Sequence, residues 1–171
     1  DCAMFLKALL VALWVTWGLI DEQTFQFQTT RPIITGPVVG LILGDVKTGL
    51  LVGATVELMF LAVVFVGTAV PPDPTLSSAI ATAFAILTGK GADIAVATAL
   101  PVALIGQVVT TLQYTVVNVF FLHRGDKYAA EGNLRGLTLM NTLPLLMNFI
   151  FYGLPAFLAV YYGPTFVKPY I

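Results

Sequence analysis

The sequence has few charged residues. Only 10% of its 171 residues are Asp, Glu, Lys or Arg, whereas 58% are hydrophobic. A soluble domain averages about 25% charged residues, so this chain cannot cover a water-facing surface of its size. Its 8 basic and 9 acidic side chains give a net charge of −1, which excludes a basic nucleic-acid-binding protein. These shortages predict an all-α integral membrane protein.

Cysteine and histidine are equally scarce. The single cysteine, Cys2, excludes a disulfide framework and a CxxC redox motif. The single histidine, His123, stands beside Arg124 in a polar segment, which is more typical of an interfacial residue than of a phosphoryl acceptor. The sequence shows no glycine-rich phosphate loop, no metal-ligand spacing and no nucleophile–base pair. We therefore expect no catalytic site, no metal and no cofactor.

What the sequence does contain is a series of apolar blocks. Residues 4–20 predict a marginal membrane span, and residues 21–31 predict an interfacial stretch. Residues 48–70, 94–122 and 137–167 are long enough to cross a bilayer. The whole chain is thus predicted to form a single polytopic membrane domain.

Two further apolar blocks are too short to span. Residues 32–44 would be about 20 Å long as a helix, against a hydrocarbon core of about 30 Å, and residues 75–88 are similar. Such segments predict broken or re-entrant helices, which are tolerated where their backbone faces protein or a watery cavity. In transporters, paired short segments point to the substrate site.

The hydrophilic segment 123–136 carries the densest positive charge. Arg124, Lys127 and Arg135 all fall within it. Because cytoplasmic loops are enriched in Lys and Arg, this segment is predicted to be a cytoplasmic loop.

Glu57 is an ionisable residue inside an apolar block. Such a group costs at least about 2.5 kcal/mol at membrane depth, which makes it a functional candidate by default. The alternative is a structural carboxylate that accepts hydrogen bonds from the end of a broken helix. Thr55, two residues away, points elsewhere on the helix and is a weaker candidate.

Asp73 lies in the break Pro71-Pro72-Asp73-Pro74. Its carboxylate can cap the amide groups of block 75–88, as could Thr75 or Ser77. It can equally bind a hydroxylated ligand, and the two roles are compatible. Gln107, inside block 94–122, suits either a neutral polyol or a bond between helices.

Glycine and proline mark the remaining structural positions. A stripe of five glycines favours tight helix packing over direct substrate contact, and three prolines break the chain as a structural or hinge element. Arg31 anchors at the headgroups or pairs with Asp21 or Glu22. The residues of the stripe and the break are Gly36, Gly40, Gly44, Gly49, Gly53, Pro71, Pro72 and Pro74.

Four segments carry a family resemblance. RPIITGPVVGLILGDVKTGLLVGATVELMFL (31–61), VPPDPTLSSAIATAFAILTG (70–89), LPVALIGQ (100–107) and GDKYAAEGN (125–133) resemble the membrane IIC subunit of the bacterial phosphotransferase system, in its mannose/fructose/sorbose family. Family members continue past the end of this chain, which is expected to cover the first two thirds of a typical subunit.

The resemblance implies a sugar permease of the bacterial plasma membrane. Such IIC subunits pair with a IID membrane subunit as a trimer of heterodimers among membrane lipids, and move sugar by an elevator-like shift. They are not enzymes, because cytoplasmic IIA and IIB proteins carry the phosphate and IIB phosphorylates the sugar. The resemblance favours N-acetylgalactosamine-type over mannose-type members. Glu57, Asp73 and Gln107 fall in the family's recurrent motifs and are the residues expected to line the sugar path. Thr55 and Thr75, which lie close to Glu57 and Asp73 in the sequence, complete the predicted substrate-binding set.

A rival hypothesis is a non-transporting membrane scaffold or a channel-like subunit whose broken helices only dock a partner. A channel would show rings of pore-lining charge, which a single glutamate inside a span does not supply. A scaffold would tolerate apolar replacement of Gln107 and Asp73.

Overall fold

The structure is a computed structural model that describes residues 2–64, 66–67, 69–167 and 169. Within these residues the regular secondary structure is helical, apart from one isolated bridge between Val66 and Ala69. Two five-residue π-helical turns, Gln113–Val117 and Phe149–Gly153, interrupt the long C-terminal helices. The α-helices are α1 (Cys2–Gln23), α2 (Pro32–Leu43), α3 (Val46–Met59), α4 (Pro74–Thr88), α5 (Ala92–Leu112), α6 (Asn118–Ala130), α7 (Leu134–Asn148) and α8 (Leu154–Val167).

Three helical stretches of the described chain are long and apolar enough to cross a bilayer. They are Cys2–Gln23, Ala92–Ala130 and Leu134–Phe166. The second joins α5 to α6 through the first π turn, and the third joins α7 to α8 through the second. The prediction of an all-helical polytopic membrane protein with broken helices is therefore confirmed.

The span predicted at 48–70 is wrong, because α3 ends at Met59. The Phe60 N–H contacts the carbonyls of both Val56 and Glu57, which tightens the last turn. The following stretch contains several valines, and β-branched residues are poorer helix formers. Hydropathy indicates how apolar this block is, but it does not determine whether the block is helical throughout.

The loop predicted at 123–136 is also mostly helical. Helix α6 continues to Ala130 and α7 begins at Leu134, so only a short turn separates them. Gly132 has a φ of 64° in this turn, and the Asn133 side chain caps α7 by accepting a bond from the Gly136 N–H at 3.1 Å. Its cytoplasmic location stays a prediction.

Helices α2 and α3 form a tight antiparallel hairpin. Gly44 ends α2 with a φ of 95°, and the Asp45 side chain caps α3 by accepting bonds from the Thr48 N–H at 3.0 Å and the Thr48 hydroxyl at 2.5 Å. These bonds from the Thr48 side chain and backbone hold the pKa of Asp45 below its usual value.

The two helices of the hairpin touch through backbone. A Cβ atom added at Gly49 would lie 2.5 Å from the Gly36 carbonyl oxygen and 2.9 Å from the Gly40 Cα. One added at Gly53 would lie 2.6 Å from the Pro32 carbonyl oxygen. Only glycine permits this approach, so the glycine stripe sets the distance between α2 and α3. Its role as a hinge stays a prediction.

Helix α4 lies at the centre of the molecule. Ala79 and Ile80 pack with residues of α1, α2 and α8, whereas Ala81 and Ala85 pack with α3 and α5. The Ser77 hydroxyl donates to the Ala99 carbonyl of α5 over 2.8 Å. A helix too short to span a bilayer is thus surrounded by protein, as its backbone ends require.

We expect Gly49→Ala to destabilise the protein. Alanine is intrinsically the better helix former by about 1 kcal/mol, but its methyl group would collide with the α2 backbone, and overpacking costs about 1–3 kcal/mol. The net effect should be a lower Tm in detergent. Gly125→Ala is the matched control, since its Cβ would meet nothing closer than Leu137 at 3.9 Å. Equal Tm values for the two variants would contradict the backbone contact.

Candidate functional site

The site is built around the break that precedes α4. Asp73 caps this helix: its Oδ1 accepts bonds from the Thr75 N–H at 2.9 Å and the Leu76 N–H at 3.2 Å. Pro74 occupies the first helical position, where a missing N–H costs nothing. Asp73 is only 6% exposed, and its Oδ2 has no hydrogen-bond partner among the described residues.

Helix α5 holds the break in place. The Asp73 N–H donates to the Ala103 carbonyl over 3.1 Å. At Gly106 an added Cβ would lie 2.7 Å from the Asp73 Cβ, so the carboxylate side chain sits directly on the α5 backbone. The next residue, Gln107, donates from its Nε2 to the Val70 carbonyl over 2.7 Å. Three consecutive contacts therefore fix the position of Asp73.

A small cavity of about 20 Å³ lies beside Asp73. This volume is enough for one water molecule. The hydroxyls of Thr110 and Tyr152 are hydrogen-bonded to each other at its wall. The full lining consists of Leu19, Glu22, Gln23, Pro71, Pro72, Asp73, Pro74, Thr110, Tyr114 and Tyr152.

The polar lining has a consistent chemical character. Glu22 and Asp73 supply carboxyl groups, Gln23 supplies an amide, and Thr110, Tyr114 and Tyr152 supply hydroxyls. None of the Lys, Arg or His residues that the structure describes lines the cavity. Carboxylates accept hydrogen bonds, and amides and hydroxyls both donate and accept. The set therefore suits a ligand rich in hydroxyl groups and disfavours an anion.

A larger groove of about 860 Å³ lies between α6 and α7. Asn118, Asp126 and Asn141 contribute polar groups to it. Gln23 and Tyr114 line both the groove and the small cavity, so they form the wall between them. The groove falls within the usual size of a small-molecule site, about 300–1,000 Å³.

Glu57, the first predicted site residue, is engaged elsewhere. Its carboxylate forms an ion pair with Arg31 at 2.5 Å and accepts a bond from the Ile33 N–H, at the start of α2, over 3.3 Å. The pairing of Arg31 with Asp21 or Glu22 that the sequence suggested is therefore wrong. These contacts are those of a structural carboxylate at a helix end, the alternative that the sequence had left open.

The other predicted residues divide between the cavity and its surroundings. Thr75 is fully buried beside Asp73, and its hydroxyl donates to the Thr30 carbonyl over 3.3 Å. The Thr55 hydroxyl donates to the Leu51 carbonyl over 2.9 Å. Among the predicted site residues, only Asp73 lines the cavity, together with the three prolines of the break. Sugar contacts by Glu57, Gln107, Thr55 and Thr75 stay predictions.

Asp21 has a structural role that the sequence did not reveal. It is fully buried and accepts bonds from the Phe27 N–H, the Thr29 N–H and the Thr29 hydroxyl, at 3.0, 3.1 and 2.6 Å. The loop it holds includes Gln26 and Gln28, whose φ angles of 57° and 65° are unusual for residues other than glycine. The stretch after α1 is thus a loop organised by one carboxylate.

Sequence reasoning missed Leu19 and five polar cavity residues, which are Glu22, Gln23, Thr110, Tyr114 and Tyr152. One available signal was the spacing of Gly106, Thr110 and Tyr114, which recur every four residues and so would share one face of a regular helix over block 94–122. The sequence offered Glu22 as part of the interfacial stretch and as a possible partner of Arg31, and not as a site residue. Among the described residues, no three His, Cys, Asp or Glu side chains could hold a metal ion.

The fold and the site together define a multi-pass helical membrane protein with a polar cavity at the start of a short buried helix. Comparison with known sequences then identifies the family. The sequence model described as "PTS system sorbose-specific IIC component" matches residues 5–171, and the chain belongs to this family. It is accordingly a multi-pass protein of the bacterial inner membrane.

Individual relatives agree with this assignment. The chain is 35% identical over 168 residues to the fructose permease IIC component of Bacillus subtilis, covering 98% of this chain and 61% of the relative. It is 36% identical over 139 residues to the mannose-specific EIIC component of Escherichia coli, covering 81% of this chain and 50% of the relative. The chain thus spans 61% or less of the length of these two relatives.

A solved structure shares the fold. The mannose transporter ManYZ, determined by cryo-electron microscopy in complex with microcin E492, superposes with a TM-score of 0.87 at 32% sequence identity. The match covers 96% of this chain and 66% of the ManYZ chain.

We expect the Arg31–Glu57 pair, whose side chains are 24% and 14% exposed, to show the coupling of a partly buried ion pair. Arg31→Met alone leaves the Glu57 carboxylate without its counter-charge and should lower the free energy of unfolding by about 1–3 kcal/mol. Arg31→Met combined with Glu57→Met removes both charges and should recover much of that loss. Thermal unfolding in detergent measures both. The Glu57→Met single variant completes the comparison. If the double variant loses as much unfolding free energy as Arg31→Met and Glu57→Met lose together, the pairing is contradicted.

Proposed function

We propose that this chain is part of the sugar-translocating IIC subunit of a phosphotransferase system, and that it binds a hexose or an amino sugar at the cavity beside Asp73. The observation that supports this most directly is the Asp73 carboxylate. One of its oxygens caps α4, and the other is buried without a partner in the part of the chain that the structure describes. A buried acceptor without a partner is costly unless something donates to it, and a sugar hydroxyl would do so.

The remaining lining supports the same ligand class. Glu22 adds a second acceptor, and the Thr110 and Tyr152 hydroxyls, which already bond to each other, can exchange that bond for one to a sugar hydroxyl. Neutral polyols need such mixed donors and acceptors rather than a counter-charge. The names of the relatives, which include fructose, sorbose and mannose components, support a sugar.

The cavity must open before it can hold a sugar ring. About 20 Å³ accommodates one water molecule and no hexose. Gln23 and Tyr114 separate it from the groove of about 860 Å³ between α6 and α7. We propose that the sugar enters where this wall parts, so that the described conformation is a closed one. An elevator-like shift then carries the site across the membrane.

The assembly follows from family membership as a proposal. IIC components are transport subunits, and we propose that IIA and IIB proteins perform the phosphoryl transfer to the incoming sugar. A IID subunit is the proposed membrane partner, in a trimer of heterodimers. The preference for N-acetylgalactosamine over mannose stays a prediction. The rival scaffold hypothesis requires that Asp73 serve only as a helix cap, which the next experiment tests.

Asp73→Asn should reduce sugar affinity while preserving the fold. Asparagine is as good an N-cap as aspartate, but it loses a charged acceptor worth about 1.5–3 kcal/mol, or a factor of roughly 10 to 150. Uptake of radiolabelled fructose, sorbose, mannose and N-acetylgalactosamine into cells that co-express the full-length subunit and its partners measures the loss.

Asp45→Asn is the matched control. Asp45 is also an N-cap aspartate, whose side chain accepts a bond from the Thr48 N–H, but it does not line the cavity, so uptake should be unchanged. Equal losses in both variants, or normal uptake by Asp73→Asn, would favour a purely structural cap and hence the scaffold hypothesis. Arg31→Met with Glu57→Met should retain uptake if Glu57 is structural, and lose it if Glu57 contacts the sugar.

A further inference from the structure

Three amide side chains form a continuous hydrogen-bonded chain behind the cavity. Gln113 Nε2 donates to Asn148 Oδ1 over 2.9 Å, and Asn148 Nδ2 donates to Gln23 Oε1 over 3.0 Å. Gln113 and Asn148 are 1% and 0% exposed, and neither lines the cavity or the groove. Of these three amide residues, only Gln23, the last member of the hydrogen-bonded series, lines the cavity and the groove.

The same amides mark the two π turns. Gln113 is the first residue of one π turn, and Asn148 immediately precedes the other. Tyr114 and Tyr152, which line the cavity, lie within these turns. Because π turns insert an extra residue and occur frequently at functional sites, both the tyrosines and the amides behind them depend on the same two backbone irregularities.

The direction of the chain determines what Gln23 offers a ligand. An amide has one acceptor oxygen and one donor NH₂ group, so each bond in the chain fixes the orientation of the next residue. Asn148 uses the Gln23 oxygen, so Gln23 offers only N–H groups to Tyr114, to which it is hydrogen-bonded, and to the cavity that both residues line. The carboxyl groups of Glu22 and Asp73 line the same cavity and favour donors on that side over a carbonyl oxygen.

We propose that Gln113 and Asn148 are positioning residues of the sugar site. They hold Gln23 so that its N–H groups donate to a sugar oxygen, and they thereby select which sugar oxygens face Gln23. This inference rests on the proposed function of the cavity. It assigns a role in substrate specificity to two buried residues that touch no ligand.

A double-variant cycle tests this proposal. Methionine has nearly the length of glutamine and cannot form the amide bonds, so Gln23→Met and Gln113→Met each remove one member of the chain. The full-length subunit with its membrane partner is titrated calorimetrically with fructose, sorbose, mannose and N-acetylgalactosamine. Each single variant should weaken binding of the recognised sugar about tenfold, and the double variant also about tenfold, because both changes remove the same donated bond.

Two results would overturn the inference. A loss of about a hundredfold in the double variant would mean that the residues act independently, and normal affinity in Gln113→Met would mean that Gln113 positions nothing. Because Gln113→Met also leaves the buried Asn148 Oδ1 without its donor, thermal unfolding in detergent first verifies that each variant is folded. Thr115→Val is the control: it lies in the same π turn, its hydroxyl donates to the Thr111 carbonyl over 2.7 Å, and its affinity should be normal.

Asn148→Asp provides a second, independent measurement. The introduced carboxylate can only accept, so Gln23 must turn its N–H groups toward it and its oxygen toward the cavity. Binding should weaken in the wild-type background and should not change further in the Gln23→Met background. A further loss in the Gln23→Met background would overturn the proposal. If the added charge prevents assembly, the Gln113→Met cycle decides.

The two proposals fail in different ways. Normal binding by Asp73→Asn, or no binding of any of the four sugars by the wild-type complex, overturns the proposed function and with it this inference. Impaired binding by Asp73→Asn together with additive losses for Gln23→Met and Gln113→Met overturns only the positioning role.

Discussion

The structure depends on how the first amide groups of α4 are satisfied. This helix begins inside the protein, where bulk water cannot reach its free N–H groups, and each one left unpaired would cost a few kcal/mol. Asp73 Oδ1 accepts two of them. The Ala103 carbonyl, the bare backbone at Gly106 and the Gln107 side chain then hold the segment that carries Asp73. These contacts leave the second carboxylate oxygen, Oδ2, buried and without a partner among the described residues. The candidate site is therefore a consequence of how the start of α4 is capped and packed.

Sequence reasoning was most successful where one residue type determines one structure. Low charge predicted the membrane, the prolines predicted the break at 71–74, and glycines at four-residue spacing marked the α2 face that meets α3. It was wrong about the span at 48–70, because apolar character indicates that a segment avoids water and does not determine where its helix ends. The site was only partly predictable. Asp73 stood out in its motif, whereas Tyr152 and Glu22 meet across the fold, and no local pattern encodes that meeting.

The described chain combines one rigid unit with two adjustable ones. In the α2–α3 hairpin, backbone touches backbone and the Arg31–Glu57 pair closes the end, so the two helices have little freedom to slide. The long C-terminal helices instead contain π turns, where the regular hydrogen-bond ladder is interrupted. Pro155 lies just after the second of these turns and has no N–H for the residue one turn earlier. The tyrosines of the cavity thus lie on the more deformable elements.

The continuous helix from Ala92 to Ala130 has a mechanical consequence. Its 39 residues make a rod about 58 Å long, nearly twice the thickness of a hydrocarbon core of about 30 Å. The 13 residues of α6 beyond the first π turn form an arm about 20 Å long. A change of about 10° in the direction of that arm displaces its tip by about 3 Å. A small rearrangement at Tyr114 therefore produces a larger displacement at the far end of α6. Conversely, a force applied to that end, for example by a bound protein, is transmitted to Tyr114.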